Sequence, residues 1–174
     1  MKSNHAAKKL TIKKASQKTV ALILENIRSA ENVGALFRTA DAAGISHIYL
    51  VGYTPAPLDR FKRPNTKIAT RALGAEKNIL WSIHTNTLTL ITKLKKDNWQ
   101  IVALEQAPTA IDYKKVAKQL GQKVAYIVGN EVDGVLPKTL ARADIIAEIP
   151  MRGKKESLNV SVATGIALFR MLDI

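Results

Sequence analysis

Polar residues with chemical reach gather in a few short stretches of this sequence. Asn159 and Ser161 open an apolar segment that starts at Ser157, SLNVSVATGIALF, whose Leu158, Val162, Ile166 and Phe169 recur at helical spacing. The spacing predicts a buried helix. An unpaired buried amide costs about 1–3 kcal/mol, so Asn159 needs a partner from protein, water or ligand. One reading is local, with Ser157 capping the helix and Asn159 bonding to nearby backbone; the other gives both to a ligand. Arg38 shares a helical flank with Gly34 and Asp41, where the glycine lets a backbone or a ligand approach the cation. The alternative is a solvated arginine paired with Asp41. In GNEVDGV (129–135), Gly129 would let a cofactor ring approach the backbone and Glu131 would accept hydrogen bonds from a neighbouring loop.

Other chemistries are excluded by what is missing. The 174 residues contain no cysteine and only His5, His47 and His84 as histidines, which removes a thiol nucleophile and a disulfide framework and disfavours structural zinc. The sequence has no GxGxxG loop and no GxxxxGK[ST] loop, Ser157 lacks a GxSxG elbow, and 129–135 has too few ligands for an EF-hand. No metal is expected. The sequence shows no signal-peptide pattern and no apolar run long enough to span a membrane, so a cytoplasmic protein is expected. A formal net charge of +13, from 27 basic and 14 acidic residues, makes polyanions the natural partners, nucleic acid before anionic membrane.

Residues 1–18 read as a basic mobile arm in which Lys8, Lys9, Lys13 and Lys14 could add salt-sensitive, sequence-independent affinity for RNA phosphates. A solubilising tail is the other reading. Residues 19–174 read as one domain. Strands are expected at 20–25, 47–51, 79–83, 100–104, 124–128 and 145–149. Helices are expected from an Asn32 N-cap to about Ala43, with Val33, Leu36, Phe37, Ala40 and Gly44 on the core face, and over 88–96 and 113–120. Between 52 and 71 a proline-bearing loop carries Arg60, Lys62, Arg63, Lys67 and Arg71 among Tyr53 and Phe61, a mixture suited to single-stranded RNA; a solvated loop is the alternative. Strands alternating with helices predict an α/β fold with a mostly parallel sheet flanked by helices. In such sheets ligands bind beyond the carboxyl ends of the strands, where Asn26, Arg28, Glu105, residues 129–131 and residues 151–157 would meet.

Three blocks carry a resemblance: NIRSAENVGALFRTA (26–40), GNEVDGV (129–135) and IPMRGKKESLNVSVATGIALF (149–169). In this order they resemble the SpoU-type, or TrmH-like, RNA methyltransferases of the SPOUT superfamily, over roughly residue 20 to the end. One departure is Val132, where the family has a second glycine after the glutamate. The resemblance implies a C-terminal trefoil knot, a homodimer with a shared active site, and S-adenosyl-L-methionine as cofactor. It implies that Leu104, Glu105, Gly129, Ile149, Met151 and Leu158 hold the cofactor. It also implies that Arg38 is the central catalytic residue, assisted by Asn32, Glu131, Ser157 and Asn159.

The activity so implied is methyl transfer to a ribose 2′-hydroxyl of RNA. Asn26, Arg28, Arg60, Lys62, Arg63, Arg71 and the lysines of the arm are the candidates for contacting that RNA. With only a short arm before the domain, transfer RNA is expected ahead of ribosomal RNA. A non-catalytic RNA-binding module and a base-directed methyltransferase on the same scaffold are the alternatives. The nucleotide modified is not legible in the sequence.

Overall fold

Short runs rich in β-branched residues become strands, and a computed structural model describes residues 18–174, beginning one residue before the first of them. Lys8, Lys9, Lys13 and Lys14 lie outside the described residues. The chain runs β1 (Thr19–Glu25), α1 (Ala30–Ala42), β2 (His47–Val51), α2 (Thr66–Ala72), α3 (Ala75–Asn78), β3 (Leu80–His84), α4 (Thr87–Lys96) and β4 (Gln100–Leu104). It continues through β5 (Ile111–Asp112), two 3₁₀ turns, β6 (Lys123–Val128), α5 (Pro137–Leu140), β7 (Ile145–Glu148) and α6 (Val160–Leu172). The strands form one seven-stranded sheet in the order β3-β2-β1-β6-β4-β7-β5, and every pairing is parallel. The α/β, mostly parallel sheet flanked by helices expected from the sequence is therefore the fold observed. No helix among the described residues is long and apolar enough to cross a membrane.

Parallel strands are buried on both faces, so β1 and β6 at the centre bury an unbroken run over residues 20–24 and 124–128. One face of the sheet packs under α1 and α6, through Phe37, Leu36, Leu168 and Met171; the other packs under α4, through Leu90, Ile91 and Leu94. Each such side chain contributes roughly 1.5–3 kcal/mol by leaving water. The close crossing of α1 and α2 depends on Gly34. A Cβ there would stand 2.5 Å from the Ile68 carbonyl oxygen and 2.8 Å from Arg71 Cβ, so the glycine admits the backbone of α2. Glu25 ends β1 with no exposure to solvent and is satisfied by the Leu136 N–H at 3.1 Å and the Thr139 hydroxyl at 2.7 Å. Those two bonds anchor the start of α5 to the centre of the sheet.

Several expectations are corrected. The N-cap of α1 is Ser29, whose hydroxyl accepts from Asn32 N at 3.1 Å, so Asn32 lies inside the first turn with its side chain free for other work. Gly44 is not a core residue: it stands at φ +71° just past the helix, where a glycine closes the turn without strain. Residues 113–120 are two 3₁₀ turns rather than a helix, and the basic loop contains α2. The last helix starts at Val160 and is buried on one side only. Thr164, Ala167, Leu168 and Met171 face the core, while Val162, Ile166 and Phe169 are 50%, 41% and 39% exposed. Among the described residues nothing covers this second face of α6.

One core residue is poorly served. The Tyr126 phenol is buried with no hydrogen-bond partner, and burial pushes its pKa well above the ordinary tyrosine value. Tyr126→Phe removes that unpaired hydroxyl without changing the packing, so it should stabilise the fold by about 1 kcal/mol. For a chain of this length the melting temperature should rise by roughly 2–4 °C in calorimetry.

Candidate active site

The loops that leave β1, β4, β6 and β7 meet at the carboxyl edge of the sheet. The first is fixed by Thr54, whose buried hydroxyl accepts from Ile27 N at 3.0 Å and lies 2.9 Å from the Leu24 and Val51 carbonyls. Asn26 adopts a left-handed backbone at φ 57°, and its carbonyl accepts from Asn130 Nδ2 at 2.9 Å. Asn130 in turn builds the third loop. Its Oδ1 accepts from the backbone N–H groups of Val132 and Asp133, and its backbone exchanges two 3.0 Å hydrogen bonds with Gly134. Residue 132 carries no positive φ, so the valine found there in place of the family's glycine fits the turn without strain.

Gly129 is required by the loop itself. A Cβ on it would lie 2.1–2.2 Å from backbone atoms of Gly134 and Val135, so its missing side chain lets the loop close on itself. Glu105 holds that closed loop. Its Oε2 accepts from Val135 N at 2.8 Å and its Oε1 from Gln106 N at 2.9 Å.

Glu131 is the hub between the loops. Its two oxygens accept from the backbone N–H groups of Arg28 and Ser29 at 2.9 and 3.0 Å and from Asn32 Nδ2 at 2.9 Å. Asn32 Oδ1 then accepts from Asn159 Nδ2 at 3.1 Å, while Asn159 Oδ1 caps α6 by accepting from Ser161 N and Oγ. Asn159 thus bonds to nearby backbone as the local reading expected, but it is itself the cap in place of Ser157, and it adds a link to Asn32. Partial burial raises the Glu131 pKa, but the hydrogen bonds from Arg28, Asn32 and Ser29 outweigh it and hold the carboxyl below its ordinary 4.5. A depressed acid contributes stability that is complete above pH 4.5 and lost as pH falls through the lowered value. Glu131→Gln should therefore be less stable than the parent at neutral pH, and the gap should close in acid; parallel thermal melts across pH measure it.

Beside this network lies a cleft lined by Leu104, Glu105, Gln106, residues 128–134, Glu148, Ile149, Met151, Ser157, Leu158, Val160 and Ala163. All six residues expected to hold a cofactor are in its wall. Four carboxylates, from Glu105, Glu131, Asp133 and Glu148, line the cleft and no lysine or arginine does, in a chain of net charge +13. Glu105 and Glu131 spend theirs on the loops; those of Asp133 and Glu148 make no hydrogen bond or ion pair among the described residues. Gln106, Asp133 and Glu148 were not singled out in the sequence. Nothing in their spacing marks them, because the register of separate strands brings them together.

The remaining candidates lie outside the cleft. Arg38 is exposed, makes no hydrogen bond or ion pair, and sits six residues beyond Asn32 on α1, roughly 9 Å along the helix. The expected alternative pair with Asp41 is absent. Arg28 is exposed beside the hub, and Arg71 lies against Gly34 where α2 crosses α1. Arg60, Lys62 and Arg63 occupy the tip of the 52–65 loop, away from the cleft wall. No group of three or more His, Asp or Glu side chains among the described residues is placed to hold a metal ion.

A parallel α/β sheet with a looped, acidic cleft at its carboxyl edge defines a ligand-binding α/β protein. The chain belongs to the SpoU rRNA Methylase family, whose description it matches over residues 19–169. It is similar to the 23S rRNA (guanosine-2'-O-)-methyltransferase RlmB of Xylella fastidiosa, 33% identical over 156 residues that make up 89% of this chain and 59% of that one. It is also similar to the tRNA (guanosine(18)-2'-O)-methyltransferase of Borreliella burgdorferi, 28% identical over 88% of this chain and 66% of that one. Among solved structures it resembles the AdoMet-bound rRNA methyltransferase from Sinorhizobium meliloti, with a TM-score of 0.80, 31% identity, and coverage of 89% of this chain and 56% of the other. The A. aeolicus TrmH/SpoU tRNA modifying enzyme follows with a TM-score of 0.77, 29% identity, and coverage of 90% and 75%. The chain thus spans about three-fifths of the length of the rRNA-modifying relatives it matches.

Proposed function

We propose that this chain, as a homodimer in the cytoplasm, transfers a methyl group from S-adenosyl-L-methionine to a ribose 2′-hydroxyl of transfer or ribosomal RNA. The observation that carries the reading is the cleft of carboxylates in a strongly basic chain. Phosphate is repelled there and a cationic ligand is favoured, while Leu104, Ile149, Met151 and Leu158 offer apolar contact to the rest of it. When bound, the cofactor supplies an electrophilic methyl group on a positively charged sulfur.

The residues of the chain divide the remaining work. Asp133 and Glu148 have free carboxylates to favour the cationic donor over its neutral product. Glu131 and Asn32 tie the loop after β1 to the wall of the cleft, and Asn159 locks the start of α6 onto the same pair. Ser157, exposed on the rim of the cleft, takes the hydrogen bond to the ribose in this reading. The exposed second face of α6, with Val162, Ile166 and Phe169, is the natural dimer surface, and a second chain packed there would bring its own Arg38 to the cleft. A guanidinium is effectively never neutral in a protein, so Arg38 grips the adjacent phosphate and stabilises the ribose oxygen while the hydroxyl proton passes to solvent water. The knotted threading of the C-terminal segment is part of the same proposal.

The test is transfer of labelled methyl groups from S-adenosyl-L-methionine to RNA lacking the modification, with transfer and ribosomal fractions assayed separately and digested to nucleosides. A labelled 2′-O-methyl nucleoside is expected. A labelled base would replace this reading with base methylation, and no transfer alongside RNA binding would favour a non-catalytic module.

A further inference from the structure

We infer that the tip of the loop between β2 and α2 is a stacking finger for an unpaired nucleobase of the RNA, with Phe61 as its contact surface. The inference rests on the RNA-directed function above and names the part of the substrate that this loop reads. Phe61 is 62% exposed at a tip whose other side chains, Asp59, Arg60, Lys62 and Arg63, are all charged. Its ring is not left loose. The guanidinium carbons of Arg60 and Arg63 lie 4.7 and 5.1 Å from its centroid.

The turn beneath is stapled shut. Asp59 accepts from Phe61 N at 2.8 Å, from Arg63 N at 2.9 Å and from Arg63 Nε at 2.7 Å. Asp59 N and Lys62 N donate to the carbonyls of Arg63 and Asp59, Leu58 bridges Pro64 in antiparallel fashion, and Lys62 takes the left-handed backbone at φ 61° that the turn requires. The tip carries Arg60, Lys62 and Arg63; the guanidinium groups of Arg60 and Arg63 flank the ring, and Arg63 is also paired with Asp59. A rigid aromatic placed among cations loses little freedom on binding, which is what a stacking platform needs.

Its root places it on the substrate path. Tyr53, the second residue after β2, accepts from Asn130 Nδ2 at 2.9 Å, so the loop starts at the residue that shapes the cleft wall. Gly52 packs directly against the Asn26 side chain. The occupant follows from chemistry: cations call for phosphates, an exposed ring calls for a flat apolar face, and only unpaired nucleotides offer both, since a duplex hides its base faces.

The experiment compares the parent, Phe61→Ala and Phe61→Trp for binding to a single-stranded RNA oligonucleotide and to a blunt duplex of the same length, with thermal melts as the folding control. Phe61→Ala should weaken single-strand binding about tenfold while leaving duplex binding and the slope of affinity against salt unchanged. Phe61→Trp should restore affinity, and its indole emission should be quenched by the single strand alone. Arg60→Ala should instead weaken both RNAs and flatten the salt slope by about one. Equal affinity of the parent and Phe61→Ala for the single strand would overturn the finger while leaving the methyltransferase reading intact. A parent that binds neither RNA would overturn the functional reading and the finger with it. Equal loss on both RNAs would show the ring to be a duplex or structural contact.

Discussion

Arg38→Ala is expected to lower methyl transfer by about 10²–10³-fold, the usual cost of losing one donor that stabilises a developing negative charge. The residue is exposed on α1, makes no hydrogen bond or ion pair among the described residues and takes no part in the cleft wall. Its removal should therefore leave both the melting temperature and the binding of S-adenosyl-L-methionine close to those of the parent. Calorimetric titration with the cofactor, run beside the transfer assay, separates the two quantities. Arg38→Lys keeps the charge but loses the planar fork, so it should recover only a minor part of the activity. If the lysine variant kept most of the activity, a point charge would suffice and the bidentate grip would be wrong.

Gly129→Ala is expected to do the reverse, damaging the cofactor site first. One methyl group would be driven to within 2.1–2.2 Å of the Gly134 and Val135 backbone, where no flexible side chain can move aside. Overpacking of this kind costs about 1–3 kcal/mol, and the loop must reopen to relieve it. Reopening would pull Val135 N from Glu105 and shift Glu131 away from Asn32, so cofactor affinity should fall by at least about tenfold. Gly153→Ala is the matched control, because a Cβ there meets nothing within 4 Å. Titration of both variants with S-adenosyl-L-methionine, together with their melts, checks the contrast.

Much of this arrangement could be read along the chain. The strands at 47–51 and 100–104 are bounded by their own composition, and the residues of the third block reach the cleft through Ile149, Met151, Ser157 and Leu158. What could not be read depended on partners distant in sequence. Asn32 looks like an N-cap because of its type, yet Ser29 reaches the orphan N–H first, and that releases Asn32 for Glu131, 99 residues away. Periodicity foretold that α6 would be apolar on nearly every side, but it could not say that Val162, Ile166 and Phe169 would stay exposed. The 113–120 segment has helical composition, while Asp112 caps a single 3₁₀ turn by accepting from Lys114 N and only Val116 is buried. Phe61 was visible as an aromatic among cations; only the fold showed that Asp59 builds a turn to hold it out.

The central claim is that the cleft of one chain works with the Arg38 of another. Mixing the Arg38→Ala and Gly129→Ala variants by co-folding tests it directly, since a two-fold dimer of the two contains one site with both lesions and one with neither. At S-adenosyl-L-methionine concentrations too low to fill the Gly129→Ala cleft, two weakly active variants should then yield about one quarter of the unmodified chain's methyl transfer, that being half of the sites in the half of the dimers that are mixed. Should verified mixed dimers stay as inactive as either variant alone, the arginine and the cleft would have to serve within a single chain, and the account would fail.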